Sequence, residues 1–349
     1  MKKKILLVTG SSGLIGSQIV KNLSKNYDLV YGIDNNERQK FFGSNGSTLN
    51  VKKALIKNIK NYNHLNIDIT KNKTISDIIE KLKPKDIVHC AAQPSHDYAA
   101  KIPLRDYDVN STSTIKLMEA VRKFTKKSSV IFFSTNKVYG DNPNKLRFIE
   151  KKRRFDFKEK KYQQGIKEDF SIDSCTHSLF GVSKLSADLI VQEYGRYFEI
   201  KTCCLRGGCL TGPNQSGVEL HGFLNYLIKC NIRKKLYTIF GYKGKQVRDN
   251  IHSDDVASFV EFFLEKPRIA EVYNLGGGKE NSISILEAFD LIEKITSIPM
   301  KYRYVKTNRI GDHICYYSNM KKIKSHYPKW SLKFNINKIF EDIVKNINL

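Results

Sequence analysis

The sequence has no apolar run approaching the roughly eighteen residues that a membrane-spanning helix needs. Its opening, "MKKKILLVTGSSGLIG", sets lysines before an apolar stretch as a signal peptide does, but Gly and Ser break that stretch after Ile5 to Val8. A buried first strand explains it better. There is no CxxC and no paired-histidine spacing, so no zinc or other metal site is expected. The seven cysteines are odd in number and read as reduced thiols in a cytoplasm. No internal repeat stands out. Acidic residues are scarce: 35 Asp and Glu against 60 Lys and Arg leave a formal charge of +25 over 349 residues. Such a field favours anionic partners. The basic residues are nonetheless spread along the chain without a nucleic-acid motif, so neither nucleic acid nor membrane is expected as a partner. The one dense cluster, "KLRFIEKKRRFDFKEKKYQQGIK" at 145–167, reads as a solvated loop or short helix before it reads as a polymer-binding patch.

What is present is an alternation. "KILLVTG", "DLVYGID", "LNIDIT", "DIVHCAA" and "SVIFFSTN" read as short apolar strands. Between them, "GLIGSQIVKNLSKN", "TISDIIEKLK" and "NSTSTIKLMEAVRKF" carry the i, i+3, i+4 spacing of half-covered helices. This pattern predicts an α/β fold: a Rossmann-type doubly wound parallel sheet with a smaller mixed C-terminal substrate-binding lobe. The boundaries expected are 1–210 for the nucleotide-binding domain, rejoined by about 248–280, and 211–349 for most of the lobe.

"VTGSSGLIGSQIV" places Gly10, Gly13 and Gly16 between a strand and a helix. Glycines there permit a tight turn and close backbone approach, and the helix N-terminus receives a pyrophosphate. Asp34 ends the second strand where an acid would hold the adenosine ribose, about twenty residues on. A carboxylate there repels a 2′-phosphate and favours NAD over NADP, with Arg38 the residue that argues the other way. Ser12, Leu14, Ile15 and Asn35 complete the expected turn and ribose contacts. Asp68 and Ile69 fall beside the adenine, and Ala91, Ala92 and Gln93 pass beneath the cofactor.

The TGxxGxxG start, "HCAA", "STNKVYG", Lys184, "RDNIHSDDV" and "NLGGG" together resemble the extended short-chain dehydrogenase/reductase family of nucleotide-sugar epimerases and dehydratases, over essentially the whole chain. Within it, "STNKVYGD" and "GKQVRDNIH" are most similar to the CDP-paratose 2-epimerase (tyvelose epimerase) branch. The resemblance implies an NAD cofactor, a CDP-, UDP- or GDP-linked hexose as substrate, and a homodimer. It implies that Thr135 hydrogen-bonds the reacting sugar hydroxyl and that Lys184 bonds the nicotinamide ribose. Arg248 and Arg309 would clamp the diphosphate, a task suited to a planar guanidinium, and Asn110 would take a structural or water-relay role. Asn136, Cys209 and Asn214 are further candidates for the substrate side.

The same resemblance exposes a gap. In "THSLFGVSK", Phe180 stands four residues before Lys184, where the family has a tyrosine that serves as base once its pKa is drawn down from about 10. Phenylalanine has no proton to exchange. Other YxxxK spacings, at Tyr197/Lys201, Tyr302/Lys306 and Tyr317/Lys321, lack the helix context. The chain is therefore an enzyme with another base, a silent binder of NAD and sugar nucleotide, or a variant altered to trap substrate. Candidate bases are the group Ser95, His96, Asp97 and Tyr98, ranked first, then Lys184 if desolvated beside Phe180; Lys137 and Cys209 are also polar and nearby. The reading adopted is an NAD-dependent nucleotide-sugar epimerase in surface-polysaccharide precursor synthesis, a 4-epimerase being an alternative. A 4,6-dehydratase is less favoured, because Asn136 and Lys137 occupy the positions of its acid pair.

Overall fold

The structure is a computed structural model and describes residues 3–213, 215, 222–309 and 311–346. In chain order the first elements are β1 (Ile5–Thr9), α1 (Leu14–Leu23), β2 (Leu29–Ile33), α2 (Arg38–Phe42), α3 (Leu49–Asn58), β3 (Tyr62–Leu65), α4 (Asn72–Leu82), β4 (Asp86–His89), α5 (His96–Ala99), α6 (Pro103–Tyr107), α7 (Ser113–Phe124) and β5 (Ser129–Thr135). A hairpin, β6 (Phe148–Glu150) and β7 (Phe155–Phe157), precedes the long α8 (Ser178–Phe198), then β8 (Lys201–Gly207) and β9 (Cys209–Thr211). The remainder is α9 (Phe223–Ile232), β10 (Tyr237–Phe240), β11 (Val247–His252), α10 (Ser253–Glu265), β12 (Glu271–Leu275), β13 (Ser282–Ser284), α11 (Ile285–Thr296), β14 (Tyr302–Val305), β15 (Cys315–Tyr316), α12 (Lys321–His326) and α13 (Ile336–Asn346).

The chain forms two compact units. The first comprises Met1–Thr135, Leu179–Arg206 and Val256–Tyr273. Its sheet has strand order β12-β8-β5-β4-β1-β2-β3, and β1 pairs in parallel with both β2 and β4. Every residue of β1 and of β4 is buried, as strands covered on both faces require. Leu7, Ile87, Val130 and Phe132 from the strands meet Ile75, Ile79, Leu117, Met118 and Val191 from α4, α7 and α8 in one core. The doubly wound parallel sheet is thus as expected. Strand order reverses between β1 and β4, the place where such sheets open a crevice. Among the described residues, no helix is long and apolar enough to cross a membrane.

The second unit comprises Asn136–Ser178, Gly207–Asp255 and Asn274–Leu349. A small sheet runs β13-β11-β15, with β9 also on β11, and β10 pairs with β14. Leu227, Ile228, Ile239, Phe289, Ile292, Phe340 and Ile343 form its core. Ser284 and Glu287 make a reciprocal capping box that starts α11.

The structure departs from the sequence expectations in three places. "LNIDIT" was expected as strand, but β3 ends at Leu65, and Asp68 Oδ1 accepts from both the N–H and the Oγ1 of Thr70, a local turn that competes with strand pairing. The basic segment 145–167 is not a free loop: it forms a hairpin followed by a single 3-10 turn at Lys160–Tyr162. Phe148 faces Phe157 across the hairpin with rings 5.8 Å apart, and Phe157 packs 5.0 Å from Tyr317. Its charges are drawn into ion pairs: Lys151 with Asp156, Arg153 with Asp290, and Glu150 with Lys243 and Lys245. Those aromatic and ionic contacts explain the third departure: 136–178 groups with the second unit rather than with 1–210, and the segment that rejoins the first unit is Val256–Tyr273.

Candidate active site

In the first unit the glycine turn is built by two different constraints. Gly10 has φ of +66°, and a Cβ there would lie 2.7 Å from the Ala91 nitrogen; a Cβ at Gly16 would lie 2.1 Å from the Gly10 carbonyl oxygen. Those two glycines are required by the protein's own packing. At Gly13, the N-cap of α1, a Cβ would meet the Gly10 oxygen at 3.3 Å, a tight contact but a milder one than at Gly10 or Gly16. No side chain caps that terminus, and the buried Ser12 Oγ has no partner. The turn therefore presents free donors without side-chain bulk, which fits the pyrophosphate of a dinucleotide. Leu14 is half-buried and Ile15 packs inward.

Asp34 closes the turn from the end of β2. Its carboxylate accepts from the Ser12 N–H at 3.0 Å and the Asn36 N–H at 2.8 Å, and two oxygens retain further acceptor capacity. Asn35 Oδ1 accepts from the Glu37 N–H. Arg38, the argument for NADP, lies with its guanidinium 4.9 Å from the Phe42 ring centre, and burial pushes its pKa down to about 10. Asp68 sits in the loop after β3 and pairs with Arg105 at 2.8 Å, while Ile69 is buried in the core. The Ala91 N–H donates to Thr9 Oγ1, and Ala92 is half-buried beside it in sequence.

Gln93 and Asn110 are drawn into a buried network. The Asn110 side chain accepts from the Gln93 N–H at 2.9 Å and donates to Asp106 and Ser183 at 3.1 and 3.0 Å. Gln93 donates to Asp106 Oδ1 at 2.8 Å, and Ser183 Oγ donates to Asp106 Oδ2 at 2.5 Å. Asn110 lies in a π-helical turn, Asp108–Thr112, which adds a residue to the helix and turns its side chain toward this network. Asp106 was not singled out in the sequence, although its i, i+4 spacing to Asn110 was a visible signal. Burial raises its pKa, opposed by the hydrogen bonds from Ser183 and Gln93.

Lys184 is buried, donates from Nζ to the Phe133 carbonyl at 2.6 Å, and lies 4.2 Å from the Phe132 ring centre. Desolvation pulls its pKa down to about 8, resisted by Asp188 and Asp106. Thr135 ends β5, two residues beyond that carbonyl. Phe180 is buried one turn before Lys184, and the ring that meets it is His96, with centroids 6.5 Å apart in an edge-to-face arrangement. His96 Nδ1 lies 3.7 Å from Asp97, and its buried Nε2 has no hydrogen-bond partner. The other members of that group point elsewhere: Ser95 Oγ caps α5 by accepting from the Tyr98 N–H, and the Tyr98 ring packs on Phe41.

The second unit gathers a separate polar cluster. Lys137 Nζ donates to the Gly311 carbonyl at 2.7 Å and stands 4.0 Å from Asp312, to which Arg248 approaches within 3.7 Å. Burial pulls the Lys137 pKa down to about 8; Asp312 opposes this, whereas Arg248 and Arg309 add to it. Cys209 belongs to the same field, but burial pushes its thiol up to about 11, so it is no thiolate nucleophile. Asn136 is buried at the start of this unit, and Asn214 lies outside the described residues. Two cations on one carboxylate, with Arg309 adding to the positive field, suit a diphosphate. Asp312 was missed in the sequence, although it follows Arg309 by three residues. Among the described residues, no group of His, Cys, Asp and Glu suits a metal ion.

The sequence matches the NAD dependent epimerase/dehydratase family over residues 6–276. It is 30% identical over 350 residues to a CDP-paratose 2-epimerase of Salmonella typhi, covering 96% of this chain and 98% of that protein. The fold is similar to UDP-glucuronic acid 4-epimerase from Bacillus cereus, solved with UDP-glucuronic acid and NAD, at a TM-score of 0.80 and 25% identity over 98% of each chain. A tyrosine-to-phenylalanine mutant of that enzyme, solved with UDP-4-deoxy-4-fluoro-glucuronic acid and NAD, matches with a TM-score of 0.79 at 25% identity, again over 98% of each chain.

Proposed function

The chain belongs to the NAD dependent epimerase/dehydratase family, and from that premise we propose that it epimerises the sugar of a nucleotide-linked hexose with a proton acceptor that is not a helix tyrosine. The observation that carries this reading is the edge-to-face contact of His96 with Phe180 one turn from Lys184, with the buried His96 Nε2 lacking a hydrogen-bond partner. Bound NAD supplies reversible acceptance of a hydride from the sugar carbon. The Gly10–Gly16 turn holds its pyrophosphate and Asp34 its adenosine ribose, where a 2′-phosphate would be repelled. Lys184, anchored by the Phe133 carbonyl, is oriented to hold the nicotinamide ribose. Thr135 hydrogen-bonds the reacting hydroxyl, and His96 Nε2 takes and returns its proton, a role an imidazole nitrogen can fill. Arg248, Arg309 and Lys137 bind the diphosphate.

The Salmonella relative makes C2 of a CDP-linked deoxyhexose the first substrate to test, with UDP- and GDP-sugars next. A cytoplasmic place in surface-polysaccharide precursor synthesis belongs to the same reading. A homodimer through α7 and α8 is supported by Ile115, Val182 and Leu189, large apolar side chains left exposed on those two helices.

Silent binding is the second reading, and Phe180 is the observation in its favour. A tyrosine-to-phenylalanine mutant of a similar enzyme was still solved with NAD and a sugar nucleotide, so in that protein loss of a tyrosine hydroxyl is compatible with binding. The decisive experiment presents CDP-, UDP- and GDP-hexoses to the purified protein while nicotinamide absorbance and product stereochemistry are followed. An epimerised product supports the enzyme. Tight binding without turnover across the panel supports the silent binder.

A further inference from the structure

Three carboxylates crowd the corner where the first unit would receive adenosine: Asp34 at the end of β2, Glu37 just beyond it, and Asp68 after β3. Unbalanced, Glu37 and Asp68 would repel each other and spread the two strand exits. One side chain from α6 answers both. Arg105 Nε and Nη2 form a fork onto the Glu37 carboxylate at 2.8 and 2.7 Å, Nη2 also reaches Asp68 Oδ2 at 2.8 Å, and Nη1 donates to Thr70 Oγ1 at 2.9 Å. These are the short, planar contacts in which guanidinium excels over ammonium. A second tie runs in parallel, from the Phe41 ring on α2 to Tyr98 on α5, 5.5 Å apart. Lys116 of α7 fixes the same exit from below, donating to the Thr70 carbonyl at 3.0 Å.

We propose that Arg105 is a positioning residue that clasps the exits of β2 and β3 around the adenosine half of NAD and thereby slows release of the cofactor. The proposal rests on the reading that the first unit binds NAD. It makes mechanical sense for a reaction in which the hydride must return to the sugar it left, because a cofactor that escapes while reduced strands the enzyme. Arg105 Nε and Nη2 are engaged by carboxylates and Nη1 by Thr70, an arrangement that disfavours recruitment of a 2′-phosphate by this guanidinium. The fork holds three segments that are distant in sequence, so it acts on the shape of the corner without itself needing to touch the cofactor.

The test measures NAD dissociation from the purified holoprotein by displacement, in wild type, Arg105→Gln, Arg105→Lys and Glu37→Gln, with Arg153→Gln as a control for losing an ion-paired arginine elsewhere. Loosening the clasp frees the strand exits around the adenosine, and such indirect coupling acts mainly on dissociation, so Arg105→Gln and Glu37→Gln are expected to release NAD about tenfold faster. Arg105→Lys, which keeps the charge but loses the fork, should fall between, and Arg153→Gln should match wild type. ADP-ribose affinity should weaken in parallel with NAD, while nicotinamide mononucleotide affinity stays unchanged, a split that general unfolding would not produce. Release within twofold of wild type in whichever of Arg105→Gln and Glu37→Gln folds overturns the clasp. A wild-type protein that binds no NAD at all would instead refute the reading on which the clasp rests.

Discussion

Lys184, buried, and Lys137, half-buried, are drawn to nearly the same pKa, about 8, by the same cause, yet they stand in opposite company. Lys184, in the first unit, has carboxylates near it: Asp188, itself paired to Arg206 at 3.0 Å, and Asp106 in the Gln93–Asn110–Ser183 network. Lys137, in the second, shares one carboxylate, Asp312, with Arg248, and Arg309 adds to the positive field on it. Desolvation lowers both, but the first is held up by anions alone, whereas at the second the lift from Asp312 is countered by Arg248 and Arg309. The first arrangement suits a cation that must stay fixed beside a cofactor and be tuned. The second is short of negative charge and suits the arrival of an anion.

The comparison is broken most severely at Lys184. Lys184→Met should lower kcat/KM by about a thousandfold, the scale of losing a group that orients the reacting centre, as read in the epimerisation assay. Retained activity would remove Lys184 from the site.

Arg248→Ala should raise KM for the sugar nucleotide about tenfold to a hundredfold with a smaller effect on kcat, because a charge-assisted diphosphate contact contributes about 1.5–3 kcal/mol. Binding calorimetry with the free nucleoside diphosphate checks it. The two lysines should also move in opposite directions when a neighbour is removed. Asp106→Asn is expected to lower the Lys184 titration further, and Arg248→Ala to raise that of Lys137; the pH dependence of acylation at each lysine reports both. Movement in the same direction would show that neighbouring charge does not distinguish them.

The smallest effect is on stability. Lys184 titrates near 8 when folded and near its ordinary 10.5 when unfolded. Between those values the unfolded chain binds more protons, so stability rises with pH; below 8 the full cost of burying the cation is present. The apoprotein of Lys184→Met should therefore lack this rise between pH 8 and 10.5 and gain on the order of 1–3 kcal/mol at neutral pH, measured by denaturant unfolding.

Much of the first unit was legible because its signals are local. The Gly10–Gly16 turn, Asp34 at a strand end and Lys184 on an amphipathic helix each follow from a few adjacent residues. What the sequence concealed depends on contacts between distant segments. Arg105 becomes meaningful only when Glu37 and Asp68 are brought to it across two crossovers, and Asp106 only when Ser183 arrives from α8. The hairpin at 148–157 was hidden by composition: its lysines and arginines suggested solvent, but alternate aromatics face inward and the charges find carboxylates on neighbouring segments. The group "SHDY" was chosen for chemistry alone. The structure separates its members, placing His96 against Phe180 and turning Ser95 and Tyr98 to capping and packing.

The central claim, that proton transfer has moved from the helix position held by Phe180 to the neighbouring His96, meets its most direct test in one rate. At saturating substrate, kcat of His96→Gln should fall about a hundredfold or more below wild type while NAD remains bound, the scale of a lost general base. A His96→Gln enzyme that turns over at the wild-type rate would contradict the account.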